Sequence, residues 1–334
     1  MLDTDTFFTA VYTVLDDLYR ATLAELRQQT PGRRPQLSDS EVLTLIVLSH
    51  WYGLSERALL RRAAAAWQPY FPRLLSQSAF NRRVHSLERV LTWLVTRLAA
   101  ELGATDAPYE VLDGVSVPLA RLCRGTRHRQ FAAEADIGKG GSDRQWYYGI
   151  KLLLCTLPCG AVSGFVAGPA STEERVLAEA LLQGRAQPPP APWQGALPPQ
   201  ATRHVAKPYV GANGPLWPRL GVGQAATGRY LGDRGYGGAW WETHWQTELG
   251  ARVVTPYASV ADDRVAQQAH ASLRQIVETT NSHLKGDLGL AYPRAHTFAG
   301  LRARLAAKLV SFNLGIVLNR RFQRPDLALA TLAA

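Results

Sequence analysis

The reading turns on two stretches. They are Arg229-Tyr230-Leu231-Gly232-Asp233-Arg234-Gly235-Tyr236 and Arg274-Gln275-Ile276-Val277-Glu278-Thr279-Thr280-Asn281-Ser282-His283-Leu284-Lys285. In the first, a short apolar run closes on a carboxylate before a glycine, as a strand does when it ends on an acid. The second has no glycine or proline and reads as a helix. On a helix a residue shares a face with those four before and seven after it, so Glu278 lines up with Arg274 and Lys285, with Asn281 and Ser282 between. Such a face can hold a cation through the acid and phosphate through the bases. Arg and Glu four apart also describe a surface salt-bridge helix, and on its own that reading prevails.

The rest of the chain sets the context. Its 334 residues are enough for about two domains. A net charge of +10 favours an anionic partner, most simply nucleic acid, over a merely basic soluble enzyme. The three cysteines, Cys123, Cys155 and Cys159, form no disulfide framework and have no second Cys/His pair at zinc spacing. The first residues are acidic (Asp3, Asp5), and no run of 18 apolar residues occurs. These features predict a cytoplasmic protein without membrane contact.

Residues 1–103 read as helical. Ser38 and Glu41 stand at capping-box spacing ahead of a helix through Val42, Leu43, Ile46, Val47 and Trp51. Gly53 breaks that helix, and Ser55 caps a second one bearing Arg61 and Arg62. Helix, glycine turn, basic helix is the outline of a helix-turn-helix DNA-binding unit, and equally of a plain helical hairpin. One longer helix is expected from Ser78 to Leu102, with Arg82 and Arg83 on a solvated or phosphate-tracking face.

From residue 104 the character changes. Residues 109–119 are β-rich and place Asp113 inside an apolar run. A carboxylate there is costly unless paired, although Asp113-Gly114 taken alone reads as a turn. A polar loop follows with Arg121, Arg124, Arg127, Arg129, Lys139 and Arg144, made pliable by Gly138, Gly140 and Gly141. Trp146–Leu157 and Ala161–Ala167 read as an antiparallel pair, and Ser171–Glu174 as a second capping box. An insertion at about 185–225 is dense in proline, which excludes a long helix or a central strand. A strand to Asp233, a helix with three tryptophans, a strand at 251–255, the helix of Glu278 and a last helix at 298–321 complete the chain. Early strands followed by alternating strands and helices predict a mixed five-stranded sheet with helices on both faces, in ribonuclease-H-like order. In that order Asp113, Asp233 and Glu278 fall at one edge of the sheet. Such oxygen ligands suit Mg2+ or Mn2+.

The chain resembles DDE-type transposases of bacterial insertion sequences, in the group holding the families numbered four, five and 982. The residues that carry the resemblance are Leu112–Pro118, Ala135–Gly138 with Trp146–Leu152, Gly232–Tyr236, and the Arg-x3-Glu-x6-Lys pattern of Arg274, Glu278 and Lys285. The helical opening, with Leu37–Leu43 and Phe80-Asn81-Arg82-Arg83, is most similar to the last of those families. Two supporting positions depart from the pattern. Ala271 stands where a Tyr is usual, and Leu153 where many relatives have His.

The resemblance implies a helix-turn-helix-like DNA-binding domain at 1–103 and a ribonuclease-H-like catalytic domain at 104–334. It implies catalytic, metal-binding acids at Asp113, Asp233 and Glu278, with two Mg2+ or Mn2+ ions. Arg274 and Lys285 would hold phosphates of double-stranded DNA, a homodimer would hold two DNA ends, and the basic loop and the N-terminal arginines would add contacts. A nuclease without strand transfer and an inactive DNA-binding repressor are the alternatives.

Overall fold

A computed structural model of the protein describes residues 2–26, 35–125, 131–140, 145–186, 228–256 and 264–332. Among these, the chain opens with α1 (Thr4–Leu26), α2 (Asp39–Trp51), α3 (Glu56–Ala66), α4 (Gln77–Ser86) and α5 (Glu88–Glu101). The capping box at α2 forms: Ser38 accepts from the Glu41 N–H, and the Glu41 carboxylate accepts from the Ser38 N–H. Ser55 caps α3, and Gly53 turns the chain between them with a φ of 59°, where glycine carries no steric penalty.

The single helix expected over 78–102 is two. Leu87 leaves helical geometry, and its N–H bonds to the carbonyls of Arg83 and Val84, closing the last turn of α4. The break has a packing cause. Phe80 and Val84 point α4 at α2 and the last helix, while α5 turns its apolar side to α1, that same helix and the sheet.

The sheet is mixed. Central β1 (Glu110–Ala120) pairs antiparallel with β3 (Gln145–Thr156) on one side and parallel with β5 (Arg229–Leu231) on the other, and β5 pairs parallel with β6 (Arg252–Val254). The far edge of β3 is shared end to end by β2 (Asp136–Gly140) and β4 (Val162–Pro169). Among the described residues the sheet is therefore five positions wide but built from six strands.

The extra strand is β2, which the sequence presents as part of a pliable glycine loop. Its glycines answer a spatial need instead. A Cβ on Gly138 would come within 2.2 Å of the Ala170 carbonyl oxygen, so only glycine lets the two backbones approach this closely. The second expected capping box also fails. α7 (Glu174–Ala186) begins at Glu174, and the Ser171 hydroxyl donates instead to Asp136 at 2.9 Å.

Side chains alternate across the sheet with period two. Val115, Val117, Leu152 and Leu154 join α1–α5 and α10 (Phe298–Arg321) in one core. Leu112, Leu153, Cys155 and Val166 join α7, Tyr236 and Trp245 of α8 (Ala239–Leu249) in a second. The N-terminal helices thus share their core with α10 and one sheet face. Under β1 lies a buried ion pair, Arg185 to Glu110, with Ser163 and Tyr230 also bonded to the guanidinium. Among the described residues, no helix is long and apolar enough to cross a membrane.

Candidate active site

Asp113 lies in the middle of β1, opposite Leu154 of β3, so the turn reading of Asp113-Gly114 is excluded. Its Oδ2 accepts a hydrogen bond from the Asn281 amide of α9 (Arg264–Lys285). Burial pushes its carboxyl up to about 6, and the charges of Glu174 and Asp233 push the same way, while the Asn281 bond pulls it down. Desolvation and like charge thus hold this carboxyl half-ionised at about pH 6.

Asp233 follows the end of β5. The β1–β5 register pairs Glu110 with Tyr230 and Val111 with Leu231, and just beyond it Asp233 lies near enough for its charge to raise the Asp113 carboxyl. The chain turns there because Asp233 caps a short 3-10 helix, its Oδ1 accepting the Gly235 N–H at 2.8 Å. Unlike Asp113, it is exposed.

Glu174 is the residue that sequence reasoning missed. It opens α7, lies 3.5 Å from Lys151 of β3, and reaches over Gly114. A Cβ on Gly114 would stand 2.6 Å from the Glu174 carboxylate, so the glycine beside Asp113 makes room for a second acid. Tyr236 closes the site from below. It is fully buried, and burial together with the charges of Glu174, Asp113 and Asp233 pushes its phenol well above the usual range. Buried in this way, Tyr236 offers no face for a base to stack on.

α9 is fixed against the sheet by buried Val277 and Leu284, and by Thr280, whose hydroxyl donates to the Gly160 carbonyl at 3.0 Å. Glu278 is exposed at the edge of that face, one turn before Asn281, and Lys285 is exposed further along it. Asn281 makes an inward contact, to Asp113. Among the described residues, no group of three or more His, Cys, Asp or Glu is arranged to hold a metal ion. In donor type the site still fits one. Its carboxylates are hard oxygen donors, and the crowding that raises Asp113 is what a divalent cation relieves.

The expected DNA contacts fare unevenly. Arg121 is exposed after β1, and Lys139 is exposed on β2, its ammonium 4.6 Å from the Trp146 ring centre. Arg61 and Arg82 are exposed, and Arg62 stacks over Tyr52 and Trp67. Arg83 is already engaged, because its guanidinium pairs with Asp39 and ties α4 to the start of α2. Arg127, Arg129 and Arg144 lie outside the described residues, as do the side chains of Arg124 and Arg274.

Comparison with protein-family models, with curated proteins and with solved structures finds no match to this chain.

Proposed function

We propose that the chain is a metal-dependent DNA transposase, which cuts the ends of a mobile element and joins the freed 3′-hydroxyls to target DNA. One observation carries the reading: Asp233, just past the end of β5, lies near enough to Asp113 of the adjoining strand for its charge to raise that carboxyl, and the helix that bears Glu278 is tied to Asp113 through Asn281. The strand order supports a ribonuclease-H-like core, with a central strand flanked by an antiparallel partner and by two parallel strands.

Asp113, Asp233 and Glu278 would hold the Mg2+ or Mn2+ ions. When bound, such ions supply activation of a water or 3′-hydroxyl and charge stabilisation of the leaving oxygen. The protein's own contributions follow from its contacts. Asn281 fixes the Asp113 carboxylate through its Oδ2. Lys151 offsets the charge of Glu174, so that Asp113 and Asp233 remain the acids facing substrate. The buried Tyr236 and Leu112 form an apolar floor that excludes water behind them. Lys285 and Arg274 would meet DNA phosphates along α9, and Arg61, Arg82 and Arg121 would extend the contact. A cytoplasmic homodimer would bring two ends together.

Pre-cut duplex with a free 3′-hydroxyl, incubated with the protein, target plasmid and Mg2+, tests strand transfer. The proposal expects covalently joined products. Cleavage without any joining would instead mark a nuclease.

A further inference from the structure

A cavity of about 610 Å3 lies between the α2–α3 turn and the chain that follows α9. Its floor is Lys308 of α10, which is 7% exposed. The Lys308 ammonium donates to the Leu288 carbonyl and lies 3.4 Å from His50 Nδ1. An ammonium only donates, so Nδ1 must accept, and the proton of a neutral His50 sits on Nε2. Among the described residues that buried Nε2 has no partner. Burial, then the Lys308 and Arg304 charges, hold the imidazole neutral, and burial, then Arg304, bring Lys308 down to about 8. The floor therefore presents the buried charge of Lys308 and the Nε2–H donor of His50.

The acids nearby are already engaged. Glu56 pairs with Arg304 at 2.8 Å, and Asp287 lies 2.6 Å from the His283 ring. Arg57 and Arg294 stand exposed at the rim. Among the described residues, no carboxylate lies within ion-pair distance of Arg57, Arg294 or Lys308.

The rim is held in a strained shape. Tyr292 and Arg294 have φ values of 54° and 53°, in the left-handed region that side chains disfavour. Arg304 bonds to the carbonyls of Pro293 and Arg294, and the Tyr292 N–H bonds to the Pro118 carbonyl at 2.8 Å. These contacts hold the turn that presents Arg294.

We propose that this cavity is an anion subsite for a phosphate group, with Lys308 at its floor and Arg57 and Arg294 at its rim. Gly286, the residue after Lys285, lines the cavity. A backbone phosphate of DNA and a free phosphate ion present the same chemistry. The DNA source rests on the transposase reading, and the phosphate chemistry does not.

The test uses the full chain in chloride buffer without divalent metal. Pyrophosphate binding is measured by calorimetry and short-duplex binding by fluorescence anisotropy, for wild type, Lys308→Met and Arg294→Asn. Lys308→Met removes a buried charge and keeps the length of the stem, and Asn tolerates the left-handed backbone at 294. Pyrophosphate affinity is expected to fall at least tenfold in Lys308→Met and several-fold in Arg294→Asn. A parallel loss of duplex affinity identifies the backbone as the source, while unchanged duplex affinity identifies free phosphate. Absence of pyrophosphate binding to wild type, or equal binding by both pocket variants, overturns the proposal. Failure of the transposase reading would appear in cleavage assays and leave the pyrophosphate result standing.

Discussion

The Asn281 side-chain amide of α9 donates to the Asp113 carboxylate in the middle of β1. This contact joins the helix that carries Glu278 to the strand that carries the most buried of the three predicted acids. It also lowers the Asp113 pKa against the opposing effects of burial and neighbouring charge. Replacing Asn281 with Leu keeps the side-chain volume and removes the donor. A hydrogen bond to a charged group is worth about 1.5–3 kcal/mol, so the Asp113 pKa is expected to rise by about one unit or more. Carboxyl titration followed by NMR checks this, and an unchanged midpoint would contradict it.

The raised pKa of Asp113 also makes a prediction about stability in the absence of metal. Its carboxyl titrates at about 6 in the folded protein, against an ordinary value of 3.8. Between those values the folded state binds more protons than the unfolded one, so Asp113 favours folding at low pH. That contribution is lost as pH rises from about 4 through 6, a change on the order of 3 kcal/mol. Asp113→Asn, which can still accept from Asn281, is expected to remove this slope and to raise the thermal midpoint above wild type at pH 7. Denaturant titrations across pH 4–8 provide the measurement. The same variant is expected to lose all metal-dependent activity.

Glu174 acts on Asp113 through charge. Glu174→Gln removes the negative charge that raises Asp113 and that Lys151 partly offsets. The Asp113 midpoint is expected to fall below about 6 while the fold is retained, since the amide still fits over Gly114. A shift in the opposite direction would show that Glu174 does not sit against Asp113 in solution.

The Arg185–Glu110 pair makes a separate, structural prediction. Both side chains are almost fully buried, so Arg185→Met would leave a carboxylate stranded beneath β1. Breaking such a pair by removing one partner costs about 3–5 kcal/mol. Thermal unfolding is expected to show a large drop in the single variant and partial recovery when Glu110→Gln is added.

Local signals were the legible part of the fold. The Ser38/Glu41 spacing and the Gly53 break mark α2 and α3, and the apolar face from Leu301 to Ile316 marks α10. Asp113 stood out because an acid in an apolar run needs a reason. What sequence could not convey is which distant residues fill one space. Gly138 and Gly140 suggested flexibility, yet their missing side chains let β2 lie against neighbouring backbone and side chains. Glu174 resembled a capping residue because its partners, Gly114 and Lys151, are far away in the chain. The long helix over 78–102 split at Leu87 because α4 and α5 bury their apolar sides against different neighbours. Lys308 reads as one more base on an amphipathic helix, and only the fold shows it at the floor of a cavity.

The account's central claim is that Asp113, Asp233 and Glu278 together carry metal-dependent DNA chemistry. Its most direct test is Mg2+-dependent cleavage of duplex bearing the terminal repeats of the element, measured for wild type and for Asp113→Ala, Asp233→Ala and Glu278→Ala. Cleavage by wild type and its loss in all three variants, with duplex binding retained, is the predicted result. Full cleavage by any one variant, above all by Glu278→Ala, would contradict the claim.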